Sequence, residues 1–148
     1  MKFTLDGRTV EAEPRPWSSL RQLIEDVAHP LPTGCDTGHC GSCTVLLEGA
    51  PTPSCLVGAV EADGRAVATA RTSADARLIE AFAAEGAVQC GYCTPGMLVT
   101  LSALLRERRG KPLAAETVRR ALDGNLCRCT GYAAIVAAAL RAHGEAAA

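Results

Sequence analysis

Polar and apolar positions alternate at the start of the chain. Phe3 and Leu5 have polar neighbours, and Val10 and Ala12 resume the same period after Asp6-Gly7. A period of two on both sides of an Asp-Gly pair predicts a β-hairpin with a two-residue turn. The period then lengthens: Leu20, Leu23, Ile24 and Val27 fall at i, i+3, i+4 and i+7, one face of a helix that Ser18 or Ser19 can cap. A Gly- and Cys-rich loop follows over 33–42, then a short apolar strand over 44–47, a turn at Glu48-Gly49 and a further strand over 66–70. Strands packed on one helix, with a metal loop between them, point to a small α+β unit.

Near Arg71 the pattern changes, and no convincing strand follows it. Leu78, Ile79, Phe82 and Ala83 fit one helix. Thr94-Pro95 reads as a helix start, with Thr as cap and Pro at the first helical position. Met97, Leu98, Leu101, Leu104 and Leu105 form that helix's buried stripe. Val118, Ala121 and Leu122 fit a third helix that stops at Asp123-Gly124, and Ile135, Val136, Ala139 and Leu140 fit a fourth. The tail from 144 to 148 is expected to fray. The reading is therefore two units, 1–71 and 72–148, the second all-helical with its cysteines at helix ends.

Composition sharpens this. Apolar residues make up 48% of the 148 but aromatics only 3%, and much of the apolar content is Ala. Alanine packs helices closely yet buries little area, so two units of this size are marginal without staples such as bound metal. A net charge of −1 carries no basic footprint for nucleic acid. The densest basic run, Arg106, Arg108, Arg109 and Lys111, reads better as a helix C-terminus that favours cations than as a binding patch. There is no apolar run of the ~18 residues that a membrane span needs, and the opening MKFTLDGRTVEAEPRP has no signal-peptide core. Eight thiols without a secretion signal favour metal over disulfides and a reducing, cytoplasmic setting, although export bound to a signal-bearing partner stays open. No G-x-G-x-x-G, P-loop or Ser-His-Asp signal is present.

The eight cysteines fall into two sets of four. Cys35, Cys40, Cys43 and Cys55 read C-x4-C-x2-C-x11-C; Cys90, Cys93, Cys127 and Cys129 read C-x2-C-x33-C-x-C. Each set supplies the four thiolates of a [2Fe–2S] cluster, two to each iron. In the first, Gly34, Gly38 and Gly41 let the loop turn tightly and aim N–H groups at sulfur. A four-cysteine zinc site prefers two separated C-x2-C knuckles, and this set has one. His39 reads as an exposed loop residue, because Rieske centres replace two cysteines by two histidines; Asp36 and Thr37 read as loop polar groups. The second set alone is ambiguous among zinc, a cluster and a redox dithiol, although a thioredoxin-like C-x-x-C needs a βαβ context. Cys93 lies just before a helix N-terminus, whose dipole favours a thiolate.

The segments GCDTGHCGSCTV and SCL in the first half, and QCGYCTPGM and GNLCRCTGY in the second, resemble the motifs of the iron–sulfur subunits of molybdenum hydroxylases, the xanthine dehydrogenase and carbon monoxide dehydrogenase family. The resemblance covers nearly the whole chain, with the motifs in the family's order. One departure is Ala68-Thr69-Ala70-Arg71-Thr72-Ser73, where many members carry a Thr-Ile-Glu-Gly-type stretch. The resemblance implies an α+β chain: a β-grasp ferredoxin-like domain followed by a four-helix [2Fe–2S] domain. It implies electron transfer from a molybdenum cofactor on a large partner subunit, through two [2Fe–2S] clusters, to a flavin (FAD) subunit, a cytochrome or a soluble carrier. It also implies that Gln89 and Cys129 face the pterin, whereas by itself Gln89 reads as a surface or helix-cap amide. Tyr92 and Tyr132 read as packing around the second cluster, and Arg128 either offsets cluster charge or contacts a partner. A free-standing two-cluster ferredoxin and a zinc-binding interaction module are the competing readings; substrate and acceptor are not legible.

Overall fold

The structure, a computed structural model, describes residues 1–145. Five strands form one mixed sheet: β1 (Lys2–Leu5), β2 (Arg8–Glu11), β3 (Thr44–Leu47), β4 (Ala50–Pro53) and β5 (Ala66–Ala68), in the order β2-β1-β5-β3-β4. β1 and β5 run parallel and the other neighbours antiparallel. Both predicted turns are present. Asp6 and Gly7 (φ 50° and 79°) join Leu5 to its partner Arg8, and Glu48 and Gly49 (φ 51° and 82°) join Leu47 to Ala50. Two consecutive positive φ values match the right-handed twist of the strands they connect. β4 is absent from the sequence reading because Pro51 and Pro53 argue against a strand; it lies at the sheet edge, where a missing N–H costs no ladder bond.

Helix α1 (Leu20–Val27) packs across this sheet in a β-grasp arrangement. Of the two candidate caps the structure selects Ser19, in a reciprocal box with Gln22. Leu20, Leu23 and Ile24 enter a core with Phe3, Leu5, Val45 and Val67, whereas Val27, expected on the same face, is exposed. Truncating a core leucine of this kind to Ala costs about 2–5 kcal/mol.

The strand expected over 66–70 ends at Ala68. Thr69 instead caps α2 (Ala70–Ser73), and Asp6 in the first turn accepts from Thr69 N at 2.7 Å, Thr69 Oγ1 at 2.8 Å and Thr72 Oγ1 at 2.6 Å. After α2 the chain is helical: α3 (Ala76–Ala84), α4 (Thr94–Glu107), α5 (Ala115–Ala121) and α6 (Ala133–Glu145). Their core joins Leu78, Phe82, Met97, Leu101, Val118 and Ile135, with Ala138, Ala139 and Ala142 bringing α6 close. Ile79 and Ala83, expected in the α3 stripe, face outward, and Ala81 is buried instead. α4 begins one residue earlier than expected, with Cys93 as its cap and Thr94 already helical. α4 is buried beyond its predicted stripe, at Val99, Thr100 and Ser102 as well, because β3 and β4 cover it on one side and helices on the other. Of the tail expected to fray, Gly144 and Glu145 belong to α6, and 146–148 lie outside the described residues. Among the described residues no helix is long and apolar enough to cross a membrane.

Candidate metal centres

The first cysteine set lies on the loop between α1 and β3 and on the 3-10 turn Ser54–Leu56 that follows β4. Asp36, Gly38 and Gly41 all take positive φ (55°, 80° and 69°), so the loop curls back on itself. The curl points three amides at one sulfur: Cys35 Sγ accepts from Thr37 N at 3.4 Å, His39 N at 3.3 Å and Cys40 N at 3.3 Å. The Thr37 amide first, then the Thr37 side chain and the Cys40 amide, hold the Cys35 thiol down at about 6. Burial and the neighbouring Cys43 push Cys55 up to about 11. A Cβ on Gly38 would stand 2.4 Å from Leu56 Cδ1, so glycine lets the loop approach the turn that carries Cys55. His39 is exposed, with Nδ1 3.0 Å from Thr37 Oγ1.

In the second set Cys90 and Cys93 precede α4, and Cys127 and Cys129 lie between α5 and α6. Cys129 and Cys90 are exposed, their sulfurs 3.7 Å apart, and Cys129 is raised by its hydrogen bond to Cys90. Two thiolates on one tetrahedral metal with bonds of ~2.3 Å stand about 3.8 Å apart. Burial pushes Cys93 up to about 12, against the pull expected from the helix N-terminus alone, and Cys127 raises it further. Burial acts upward on Cys127 as well. There it is outweighed by the Thr130 hydroxyl at 3.2 Å, by the Thr130 and Cys129 amides and by Cys93, which together bring it to about 7.

The eight thiols thus gather two by two: Cys35 with Cys40, Cys43 with Cys55, Cys90 with Cys129, and Cys93 with Cys127. A two-iron core asks for two pairs, one to each iron. The donor set therefore fits [2Fe–2S] clusters, and binding would draw off the protons that the raised thiols carry.

The two loops meet. Leu126 N donates to Cys40 O at 2.8 Å, Asn125 Nδ2 to Gly41 O at 3.0 Å, and Thr100 Oγ1 to Asn125 Oδ1 at 2.9 Å. A Cβ on Gly41 would stand 2.1 Å from Gly124 O, and one on Gly96 would stand 2.2 Å from Gly41 O. Two glycines therefore permit the close approach. The two tyrosine hydroxyls act differently: Tyr132 closes its own cysteine loop, and Tyr92, between Cys90 and Cys93, ties the second loop to Thr33 of the first. Tyr132 OH accepts from Cys127 N at 2.8 Å and donates to Asn125 O at 3.0 Å; Tyr92 OH accepts from Thr33 N at 2.8 Å and donates to Thr33 O at 3.2 Å. Gln89 and Arg128 are exposed beside the second set. Asn125, Thr100 and Gly96 were not singled out from the sequence, although Asn125 and Gly96 lie inside the quoted motifs.

Comparison with known proteins agrees with this geometry. Residues 3–73 match the 2Fe-2S iron-sulfur cluster binding domain family, and 66–140 match the [2Fe-2S] binding domain family. The chain is 40% identical to the xanthine dehydrogenase iron-sulfur-binding subunit of Escherichia coli O157:H7, over 92% of this chain and 89% of that protein. It is 46% identical to the nicotine 6-hydroxylase small subunit of Paenarthrobacter nicotinovorans, over 76% and 68%. The crystal structure of quinoline 2-oxidoreductase from Pseudomonas putida 86 contains a chain that superposes with a TM-score of 0.87 at 38% identity, covering 99% of this chain and 94% of that one. Paired thiols in a β-grasp half and a helical half, together with these relatives, place the chain in the family of two-cluster iron–sulfur subunits of the molybdenum hydroxylases.

Proposed function

We propose that Cys35, Cys40, Cys43 and Cys55 hold one [2Fe–2S] cluster within 1–71, and that Cys90, Cys93, Cys127 and Cys129 hold the other within 72–148. The separate cores, one drawn from Phe3 to Val67 and the other from Leu78 to Ala142, support that division. When bound, each cluster takes up and gives up a single electron at a time. The observation that carries the reading is the Leu126 N–H to Cys40 C=O bond of 2.8 Å, which joins a residue adjoining Cys127 to a member of the other set. Along that route one hydrogen bond, and otherwise covalent bonds, connect Cys40 to Cys127, while Asn125 to Gly41 and Tyr92 to Thr33 link the same two loops.

Gln89 and Cys129 serve as the contact with the molybdenum cofactor's pterin on a large partner subunit. Both are exposed, and Gln89 offers a donor and an acceptor to a polar heterocycle edge. The partner oxidises a nitrogen heterocycle or an aldehyde, in line with the xanthine dehydrogenase and nicotine 6-hydroxylase relatives and with the aldehyde oxidoreductase iron-sulfur-binding subunit PaoA of Escherichia coli K12, to which the chain is 32% identical. Electrons leave from the first set toward a flavin subunit, a cytochrome or a soluble carrier, and the assembly resides in the cytoplasm.

The test is recovery of the tagged chain from its native host, with metal analysis and mass spectrometry of what accompanies it. A large subunit with molybdenum and roughly four irons per small chain is the expected result. Iron without a molybdenum partner would replace this reading by a free-standing ferredoxin, and zinc without iron would overturn the cluster assignment.

A further inference from the structure

Arg21 is a buried charge, its side chain 10% exposed, in the first turn of α1. Its guanidinium reaches out of the helix to the cysteine loop. Nε donates to Asp36 Oδ1 at 2.8 Å, Nη2 to Asp36 Oδ2 at 3.3 Å, and Nη1 to Glu25 Oε2 at 3.0 Å. Asp36 directly follows Cys35 and is held at φ 55°, a left-handed conformation that costs a non-glycine residue about 1–2 kcal/mol. The turn that begins there delivers the amides of Thr37, His39 and Cys40 to Cys35 Sγ. A two-pronged grip fixes both the position and the plane of the Asp36 carboxylate, which a point charge cannot do. Burying a guanidinium is costly unless it is paired in good geometry, and here the pairing orders a loop rather than a core.

We propose that Arg21 is a positioning residue for the first cluster: through Asp36 it holds the turn that aims three amides at Cys35, and so sets that cluster's reduction potential. The inference rests on the reading that Cys35 is a cluster ligand. Amide hydrogen bonds disperse negative charge on a ligand sulfur, and that charge grows when the cluster accepts one electron, so the bonds favour the reduced form. The event affected is a one-electron exchange in which the second cluster loses an electron and the first gains it, with no proton required. Releasing Asp36 loosens the three amides and leaves an unpaired carboxylate near the ligand. Both changes disfavour the reduced first cluster.

The experiment is an EPR-monitored redox titration of the intact complex carrying Arg21→Met or Arg21→Lys, with iron and spin counts for each preparation. For Arg21→Met the one-electron equilibrium between the clusters is expected to move at least tenfold away from the first cluster, about 59 mV, with the second cluster's potential unchanged. Arg21→Lys keeps the charge but loses the fork, so most of the shift should persist. An unchanged first-cluster potential in Arg21→Met overturns the proposal, and so does full restoration by Lys, which would make the effect one of charge alone. Should the Met variant fail to assemble, a Lys variant with wild-type potential overturns it equally. A wild-type complex with only one [2Fe–2S] signal would instead defeat the ligand assignment, a separate failure visible before any variant is made.

Discussion

The amide of Leu126 donates to the carbonyl of Cys40 at 2.8 Å, across 86 positions of sequence. Around this bond the backbone at Gly41 is enclosed by Gly96, Gly124 and the Asn125 side chain. Residues that neighbour the cysteines therefore join the halves here, beside the packing of α4 on β3 and β4. The distance between the two sets is thus governed by side-chain volume at a few small residues.

Gly41→Ala should break this contact. The new Cβ meets the Gly124 carbonyl at 2.1 Å at a position with φ 69°, and the hydrogen bond to Asn125 cannot survive the shift needed. We expect a loss of about 3 kcal/mol of stability. Gly110→Ala, also at positive φ (71°) but with open space around it, is the control and should cost only about 1 kcal/mol. Thermal denaturation of the two variants checks this; equal losses would mean that the approach is not tight.

Cys129→Ser removes one of the two exposed thiols that stand 3.7 Å apart in the second set. The second cluster's EPR signal should be lost or altered, with the first retained, since the two sets occupy separate loops. If both signals stay as in the wild type, Cys129 is not a ligand.

Gln89→Ala should leave both clusters in place, because the Gln89 side chain is exposed. Turnover in the intact complex, or its assembly with the large subunit, should fall about tenfold, the loss expected for roughly 1.4 kcal/mol of hydrogen bonding. Unchanged turnover and assembly would remove Gln89 from the pterin contact.

Asp75 caps α3, accepting from Arg77 N at 2.9 Å and pairing with the Arg77 guanidinium at 2.9 Å. The guanidinium hydrogen bond is the main cause that holds its carboxyl below the usual range. A depressed folded value means that the stabilisation is complete above the unfolded value of about 3.9 and is lost as pH falls through the folded one. Asp75→Ala should therefore cost about 1 kcal/mol near neutrality, and the gap to wild type should close in acid. Melting curves across pH test this: a gap that persists in acid would place the effect elsewhere.

Local signals were read well where they depend on neighbours in sequence. Asp6-Gly7 and Glu48-Gly49 form the turns that the sequence predicts, and of the two candidate caps, Ser18 and Ser19, the structure uses Ser19; each acts over four residues or fewer. Errors arose where a distant partner intervenes. Asp6 reaches Thr69 across 63 positions and ends the strand predicted to run to Ala70. Val27 and Ile79 fit a helical period but have nothing to pack against, so they stay exposed. Trp17, the chain's one tryptophan, is fully exposed at φ 63°, which composition could not indicate.

By itself the sequence divided the eight thiols into two sets of four and pointed the first toward a cluster, since thiol number and the C-x4-C-x2-C spacing belong to one loop, and the order of hairpin, helix and helical half follows from their periodicities. Only the tertiary structure decided which thiol stands beside which, that Asn125 and Gly41 join the halves, and that Arg21 reaches Asp36. The Arg21 and Asn125 contacts span 15 and 84 positions. They form only when packing brings distant segments together, because the period of an element says which face is apolar and not what will cover it.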